Sequence, residues 1–296
     1  MDERLIKNPL GYWEVINKPT PEELQKYYAD KYFQESLGSY ESEYSPEEIS
    51  YFRVKLAQRL GVINRHRGGK AGTLLDIGCG EGYNLAFFNE NGWSVKGFDF
   101  SSEGILSKNP QCIDFLAKGD VYELISEDIL SGKTYDVIWL QNLLEHVIDP
   151  MGLLESVKAL SSPDTIVVIT VPNDCSVIQE YLVKNNLIDK NYWVAPPDHL
   201  NYFTYESLLN ICSATGWRCI DVQGDFPIEW YLLHPGSNYI LDKNKGKAAH
   251  VARVELENLI HEQPLDYVID FWSAITKVGF TRNFTGFFVL SDQICD

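Results

Sequence analysis

A glycine-rich turn directly after an apolar run offers this chain a place for a ligand. Gly78, Gly80 and Gly82 follow a predicted strand, Thr73–Ile77, and glycine lets the backbone turn tightly and approach a bound molecule closely. The spacing G-x-G-x-G differs from the G-x-G-x-x-G of a dinucleotide site. Glu81 stands where the next helix begins, and a carboxylate there repels a pyrophosphate. The turn therefore favours a cationic ligand without phosphate.

Two further carboxylates flank the turn. Asp76 precedes it, and Asp99 ends the next predicted strand, 21 residues after Gly78. An acid at such a strand end accepts hydrogen bonds from ribose hydroxyls, although Asp99 could instead cap the helix that follows. S-adenosylmethionine (SAM) carries a sulfonium, an ammonium and a ribose but no phosphate. SAM therefore fits the turn, whereas the pyrophosphate of NAD does not.

Histidine is suited to act as the base if a methyl group is transferred from SAM to an aliphatic hydroxyl near neutral pH. Of the six histidines, His146 follows the fourth predicted strand, on the side of the sheet where ligands bind. His199 follows the fifth, in the stretch Pro-Pro-Asp-His-Leu-Asn-Tyr-Phe. Either could be the base, and either could instead pack near the cofactor.

Short apolar segments alternate with helical ones from residue 71 onward, which predicts an α/β fold with a largely parallel sheet. The predicted strands are residues 73–77, 94–99, 114–119, 135–140, 165–171, 217–222 and 283–290. The chain is predicted to have four parts. They are a helical lead-in (residues 1–70), a core (71–224), a helical insertion (225–283) and the final core strand (284–296).

Capping sequences begin two predicted helices in the lead-in, after Thr20 and Ser45. The second helix is predicted to end at Gly61. The stretch between the two caps is rich in tyrosine, including Tyr32. These aromatic side chains either pack against the core or cover a bound ligand.

The composition excludes several classes of protein. The 296 residues carry 25 Lys+Arg and 42 Asp+Glu, a formal charge of −17, and such a surface repels nucleic acid and anionic lipid. The first residues contain no apolar signal segment, and the six cysteines contain no C-x-x-C pair. We therefore expect a cytoplasmic protein with neither nucleic acid nor membrane as a partner.

Five motifs in order resemble the class I SAM-dependent methyltransferases. They are Leu-Asp-Ile-Gly-Cys-Gly-Glu-Gly, Gly-Phe-Asp-Phe-Ser, Gly-Asp-Val, Tyr-Asp-Val-Ile-Trp-Leu-Gln-Asn-Leu-Leu-Glu-His-Val-Ile-Asp-Pro and Ile-Thr-Val-Pro-Asn, within about residues 71–221. The branch most similar contains ubiquinone-biosynthesis O-methyltransferases and relatives that modify sugars and small metabolites. The resemblance implies a Rossmann-like, mostly parallel sheet of seven strands with helices on both faces and an antiparallel last strand.

The same resemblance implies roles in a SAM site. Asp76 and the three turn glycines would shape the methionine end, and Asp99 would hold the ribose. Phe100 would lie beside the adenine, whose amino group would meet the acid of the motif that contains Asp120 and Val121.

Past the fourth strand, Gln141 would lie near the sulfonium. Some related quinone O-methyltransferases are thought to hold a divalent metal on Glu-x-x-Glu-His. Here Asn142 replaces the first acid and leaves Glu145 and His146. Two ligands make a poor closed site, so no metal is expected.

The acceptor is expected to be a small hydroxylated metabolite, such as a sugar or a precursor of a surface polysaccharide, that is methylated on oxygen. The lead-in and the insertion would wall its site, through Tyr32 and Trp230. Two alternatives stay open: C- or N-methylation of a nucleotide-linked sugar, and a SAM-binding partner subunit without catalysis. The sequence does not indicate an oligomeric state.

Overall fold

The computed structural model describes residues 2–27 and 43–291 of the chain, and these residues form an α/β fold. In chain order the strands are β1 (Leu5–Lys7), β2 (Trp13–Val15), β3 (Thr73–Ile77), β4 (Ser94–Asp99), β5 (Leu116–Lys118), β6 (Tyr135–Gln141), β7 (Ser161–Pro172), β8 (Asn201–Tyr202), β9 (Trp217–Gly224) and β10 (Asn283–Leu290). The helices are α1 (Pro21–Tyr27), α2 (Pro46–Arg67), α3 (Tyr83–Glu90), α4 (Glu103–Lys108), α5 (Val121–Leu130), α6 (Pro150–Ala159), α7 (Val177–Lys184), α8 (Tyr205–Ala214), α9 (Gly246–Ile260) and α10 (Leu265–Lys277).

Seven strands form the central sheet in the order β5-β4-β3-β6-β7-β10-β9. The pairs from β5 to β7 are parallel, and β10 runs antiparallel to both β7 and β9. The predicted sheet and its antiparallel last strand are thus confirmed. In this order the carboxyl ends of β3, β4 and β6 meet at one edge, which is where an open α/β sheet binds ligands.

The two faces of the sheet carry separate cores, as period-2 alternation requires. Leu75 and Ile77 point into a core shared with α5, α6 and α8, whereas Leu74 points into one shared with α2, α3 and α10. Asp76 follows Leu74 by two residues and therefore lies on the α2 face. On that face, α2 of the lead-in packs against the sheet.

The second helix of the lead-in is longer than predicted. A capping box at Ser45 begins α2 as expected, but the helix continues through Gly61 and ends with Gly68 in the left-handed conformation. A Cβ atom at Gly61 would lie 2.9 Å from Leu265 and 3.0 Å from Ile269 of α10. Gly61 therefore serves close helix packing, and the prediction that it stops the helix is wrong.

A small antiparallel sheet of β1, β2 and β8 adds strands to a lead-in that was expected to be helical. It supports the loops past β6 and before β8. Lys18 donates through Nζ to the Ile148 carbonyl at 2.9 Å and to Asn201 Oδ1 at 3.1 Å. These loops contain the two histidines that the sequence singled out.

The insertion between β9 and β10 is helical, as predicted, and it packs against α2 through buried polar contacts. Lys55 donates to the Gly224 carbonyl at 2.7 Å and lies 3.6 Å from the Glu257 carboxylate of α9. In the described part of the chain, no helix combines the length and the apolarity needed to cross a membrane.

Candidate active site

The glycine turn is held against the end of β4 by its own backbone. The Gly78 and Cys79 N–H groups both donate to the Phe98 carbonyl, at 2.8 and 3.1 Å. Gly78, Gly80 and Gly82 all have positive φ, at 77°, 52° and 75°. L-residues with side chains rarely adopt this conformation, so the turn requires glycine at these positions.

Asp76 is a buried carboxylate just before the glycine turn. It is 1% exposed, and neither oxygen has a partner in hydrogen-bond geometry among the described residues. Burial raises the pKa of Asp76 to about 7, against the opposing effect of the Asn84 amide. A bound ammonium group would satisfy both oxygens and favour the ionised form.

Asp99 shapes the turn as well as ending β4. Its Oδ2 accepts from the Gly80 N–H at 2.8 Å, and its Oδ1 accepts from the Ser101 N–H at 3.0 Å. Burial raises the pKa of Asp99. The Asp99 side chain therefore stabilises the backbone around it. It also lies beside the glycine turn, where a ribose hydroxyl could donate to it. Phe100 follows it, 39% exposed.

Asp120 and Val121 lie next to Asp99 because the Gly119 N–H donates to the Asp99 carbonyl at 3.0 Å. Asp120 caps α5: its Oδ1 accepts from the Tyr122 N–H at 2.9 Å and the Glu123 N–H at 3.1 Å. The exposed side chain thus has a structural role at the edge where the adenine is expected.

Gln141 connects the end of β6 to a cation that the sequence did not single out. Leu140 pairs with Ile77 across the sheet, so Gln141 lies beside Gly78. Its Oε1 accepts from Arg59 Nη1 at 2.9 Å. Among the described residues, no carboxylate lies within ion-pair distance of this guanidinium, which fits the carboxylate of a methionine moiety. Arg59 occupies an ordinary helical position in α2, so no local pattern marks it.

The lead-in touches the turn through Tyr44. Its hydroxyl donates to Glu81 Oε2 at 3.0 Å, and its ring packs edge-on against Phe52 at 5.0 Å. Tyr44 therefore packs against another aromatic ring and also contacts the glycine turn. Tyr32, the predicted acceptor contact, lies outside the described residues.

Two histidines from separate loops meet at the same edge of the sheet. The rings of His146 and His199 are 4.9 Å apart and perpendicular. The Asp198 carbonyl lies 2.7 Å from His146 Nδ1, and because a carbonyl only accepts, Nδ1 carries the hydrogen. Leu143, three residues before His146, would touch a Cβ built at Gly78, at 3.4 Å. The loop that carries His146 therefore begins beside the glycine turn.

The surroundings of the pair are buried and acidic. Burial lowers the pKa of His146 and lowers that of His199 to about 3, so both rings are neutral at pH 7. Burial also raises the pKa of Glu145 well above its usual range, and neither of its oxygens has a hydrogen-bond partner in the described part of the chain. Both rings are thus in the unprotonated form that a base requires, but the low pKa makes His199 a weak base unless a carboxylate stabilises its imidazolium.

Glu145, His146 and His199 each offer one ligand-type atom, and these atoms lie within 4.8 Å of one another. The sequence places two of these donors next to each other, and the fold adds a third, His199, from a distant loop. This arrangement could accommodate a cation, and the absence of a metal stays a prediction.

Trp230 is more exposed than the two histidines. It belongs to a short 3-10 helix, Ile228–Leu233, and is 44% exposed. Its ring centroid is 5.9 Å from that of Phe226. Its neighbour Glu229 is buried, and the Glu229 Oε1 lies 3.5 Å from Arg282 Nη1. The insertion thus approaches the start of β10 through Glu229.

A cavity of about 400 Å³ opens at the opposite edge of the sheet, with Thr73, Ser94 and Leu116 in its lining. These residues begin β3, β4 and β5. Because ligands of open α/β sheets bind at the carboxyl ends, this cavity is separate from the glycine turn.

Residues 46–222, more than half of the chain, match the family model described as a methyltransferase domain. The chain belongs to this family. It is a class I SAM-dependent methyltransferase, and SAM is its cofactor. The orphaned Asp76 carboxylate and the glycine turn fit the ammonium and the phosphate-free methionine end of SAM.

Similar proteins agree with this assignment. The methyltransferase is 25% identical over 174 residues to the ubiquinone biosynthesis O-methyltransferase of Actinobacillus pleuropneumoniae serotype 7, over 56% of this chain and 74% of that protein. It is 26% identical over 171 residues to the corresponding protein of Paraburkholderia xenovorans, over 56% and 73%.

A solved structure shares the fold of the methyltransferase. It is the plantazolicin methyltransferase BpumL in complex with a monoazolic desmethylPZN analog and SAH. The TM-score is 0.54 at 16% identity, over 91% of this chain and 94% of that one. The likeness thus extends beyond the family match into the lead-in and the insertion.

Proposed function

We propose that this methyltransferase transfers the methyl group of SAM to a hydroxyl oxygen of a small molecule, with a histidine of the buried pair as the base. The observation that supports this most is that the rings of His146 and His199 meet 4.9 Å apart, in loops at the edge of the sheet where ligands bind. An aliphatic hydroxyl must lose its proton as it attacks, and a neutral imidazole near the reacting oxygen can take it. The named activity of the curated relatives, O-methylation, supports oxygen as the acceptor atom.

Bound SAM supplies a methyl carbon made electrophilic by its sulfonium. The protein's part is to align the acceptor oxygen with that carbon and to exclude water. In the transfer the acceptor O–H bond breaks and its proton goes to an imidazole nitrogen. The oxygen–carbon bond forms as the carbon–sulfur bond breaks, and that electron pair stays on sulfur.

The cofactor contacts are proposed for this chain's own residues. Asp76 would receive the ammonium, and Arg59 would receive the carboxylate of the methionine end. Asp99 would accept from the ribose. Phe100 and Asp120 would border the adenine, with Val121 beside them. Gln141, already tied to Arg59, would lie near the sulfonium, where its carbonyl oxygen favours positive charge.

The acceptor would lie between the histidine pair, the lead-in and the insertion. Support comes from Glu229, which anchors the insertion at Arg282, and from Tyr44, which ties the lead-in to the turn. Trp230 and Tyr32 are the proposed contacts with the acceptor. Sugars and other polyhydroxylated molecules suit a site lined by buried carboxyl and imidazole groups. A reducing cytoplasm is the proposed location.

The test is incubation with methyl-labelled SAM and a panel of sugars, nucleotide sugars and phenols, followed by NMR of the product. A methyl ether is the expected product. His199→Gln and His146→Gln are compared, and the variant that removes the base lowers kcat by about 10²–10⁴-fold with SAM affinity unchanged. A methyl group found on carbon or nitrogen would overturn the proposal in favour of the nucleotide-sugar alternative. SAM binding without transfer in the whole panel would favour a partner subunit.

A further inference from the structure

Two buried polar atoms without hydrogen-bond partners face each other beside the histidine pair. Asp174 Oδ2 lies 3.9 Å from His199 Nδ1, and neither atom has a partner among the described residues. The Asp174 side chain is fully buried. A buried donor or acceptor that stays unpaired is costly, so a small closure of this gap would satisfy both atoms. Contacts of this kind commonly tighten when the ligands are bound.

Arg282 determines which oxygen of Asp174 faces the histidine. Its Nη1 donates to Asp174 Oδ1 at 3.0 Å. Because a guanidinium can only donate, Oδ1 is committed as an acceptor and Oδ2 is left for His199. Burial raises the pKa of Asp174 to about 6, against the opposing effect of Arg282, so the carboxylate is ionised at pH 8.

We propose that Asp174, held by Arg282, is a positioning residue that keeps His199 in the Nδ1–H tautomer. In that tautomer Nδ1 donates to Asp174 Oδ2, and the lone pair of Nε2 is the one that can accept the acceptor's proton. The inference rests on the proposed function, in which a histidine of this pair removes that proton. It selects His199 and names the nitrogen that acts.

An exposed carboxylate competes for the hydrogen on the other side of the ring. Asp198 Oδ2 lies 4.0 Å from His199 Nε2. Its side chain is 38% exposed, whereas that of Asp174 is fully buried. Water screens the exposed carboxylate, so the buried one is the stronger partner for an imidazole N–H.

The decisive variant is Asp174→Asn, because Arg282 dictates how the new amide is oriented. The amide oxygen must face the guanidinium, and its NH₂ group then faces His199 Nδ1. An NH₂ group donates, so Nδ1 must accept and the hydrogen moves to Nε2. The substitution is nearly isosteric, yet it selects the wrong tautomer and blocks the basic nitrogen.

The tautomer is read directly at pH 8 from the imidazole ¹⁵N shifts of the full-length protein labelled on histidine, with His199→Gln to assign the signals. We expect Nδ1–H in the wild type and Nε2–H in Asp174→Asn. We also expect kcat to fall by about 100-fold, the lower end of what a positioned base contributes, with SAM affinity and the acceptor KM within about threefold of wild type.

Asp136→Asn is the control. It removes a carboxylate that pairs with an arginine, Arg67, at 2.6 Å, but at the opposite edge of the sheet, so we expect the wild-type tautomer and a kcat within about threefold of wild type. An Nε2–H tautomer in the wild type, an unchanged tautomer in Asp174→Asn, or a changed tautomer with unchanged kcat would each overturn the inference. Unchanged kcat in both His199→Gln and His146→Gln would instead overturn the proposed base itself.

Discussion

Replacement of Asp76 by asparagine tests the electrostatics of the cofactor site most directly. Its pKa of about 7 stands about three units above the usual value of 3.8 because burial opposes the charged form. A shift of that size corresponds to about 4 kcal/mol. SAM binding should favour the ionised carboxylate through its ammonium group, so we expect SAM affinity to increase with pH.

The size of this pH effect follows from the same pKa. An acid with a pKa of about 7 is about one-tenth ionised at pH 6 and about nine-tenths ionised at pH 8. The affinity of wild type for SAM should therefore rise about tenfold between these pH values. Asp76→Asn should lose this dependence and bind SAM roughly 10–100-fold more weakly at pH 8, the effect of losing a hydrogen bond to a charged group.

The stability of the wild-type fold without SAM should decrease with pH, whereas the affinity for SAM increases. A carboxyl whose pKa is raised on folding stabilises the fold at low pH, and this contribution is lost as the pH rises through the folded pKa near 7. Asparagine does not ionise, so without SAM the variant should be more stable than wild type at pH 8, by up to about 4 kcal/mol.

The assay is titration calorimetry with SAM at pH 6 and pH 8, in buffers of different ionisation enthalpy so that released protons are counted. Thermal unfolding without SAM is measured in parallel. Asp136→Asn removes a carboxylate at the opposite edge of the sheet, where it pairs with Arg67 at 2.6 Å, and it should keep the wild-type pH dependence of affinity. Equal pH dependence in wild type and Asp76→Asn would show that ionisation of Asp76 does not control SAM binding.

Three further outcomes are expected. Asp99→Ala should weaken SAM binding by about 1.5–3 kcal/mol in calorimetry, and an unchanged affinity would contradict its contact with the ribose. Gly104→Ala should abolish SAM binding in a folded protein, because its Cβ would lie 2.7 Å from the Gly80 carbonyl oxygen and must displace the turn; wild-type affinity would show that the turn tolerates the shift. Trp230→Ala should raise the acceptor KM about tenfold, a loss of about 1.4 kcal/mol, and leave SAM affinity intact, whereas normal acceptor kinetics would remove the insertion from the acceptor site.

Local patterns determined the elements of this protein. Short apolar runs predicted β3, β4 and β10 at the bounds that the structure has, because helices cover both faces of the sheet and consecutive side chains are buried. The glycine turn could also be predicted from the sequence, because backbone with positive φ requires glycine whatever surrounds it. The order of five motifs then indicated both the family and the cofactor.

Tertiary structure decided what local patterns do not encode. Gly61 looks like a helix stop, but α10 packs on it and the helix continues. The three-residue strands β1 and β2 are too short to show a period, so the sheet that supports the histidine loops was missed.

The proton-transfer site depends most on the fold. His146 and His199 are 53 residues apart in the sequence, and Asp174 meets Arg282 from 108 residues away. The path of the loops past β6 and β7 and the return of the chain along β10 bring these groups together. Burial then shifts the pKa values of these groups and excludes water, so that they interact with one another. Spacing within the sequence specifies neither effect.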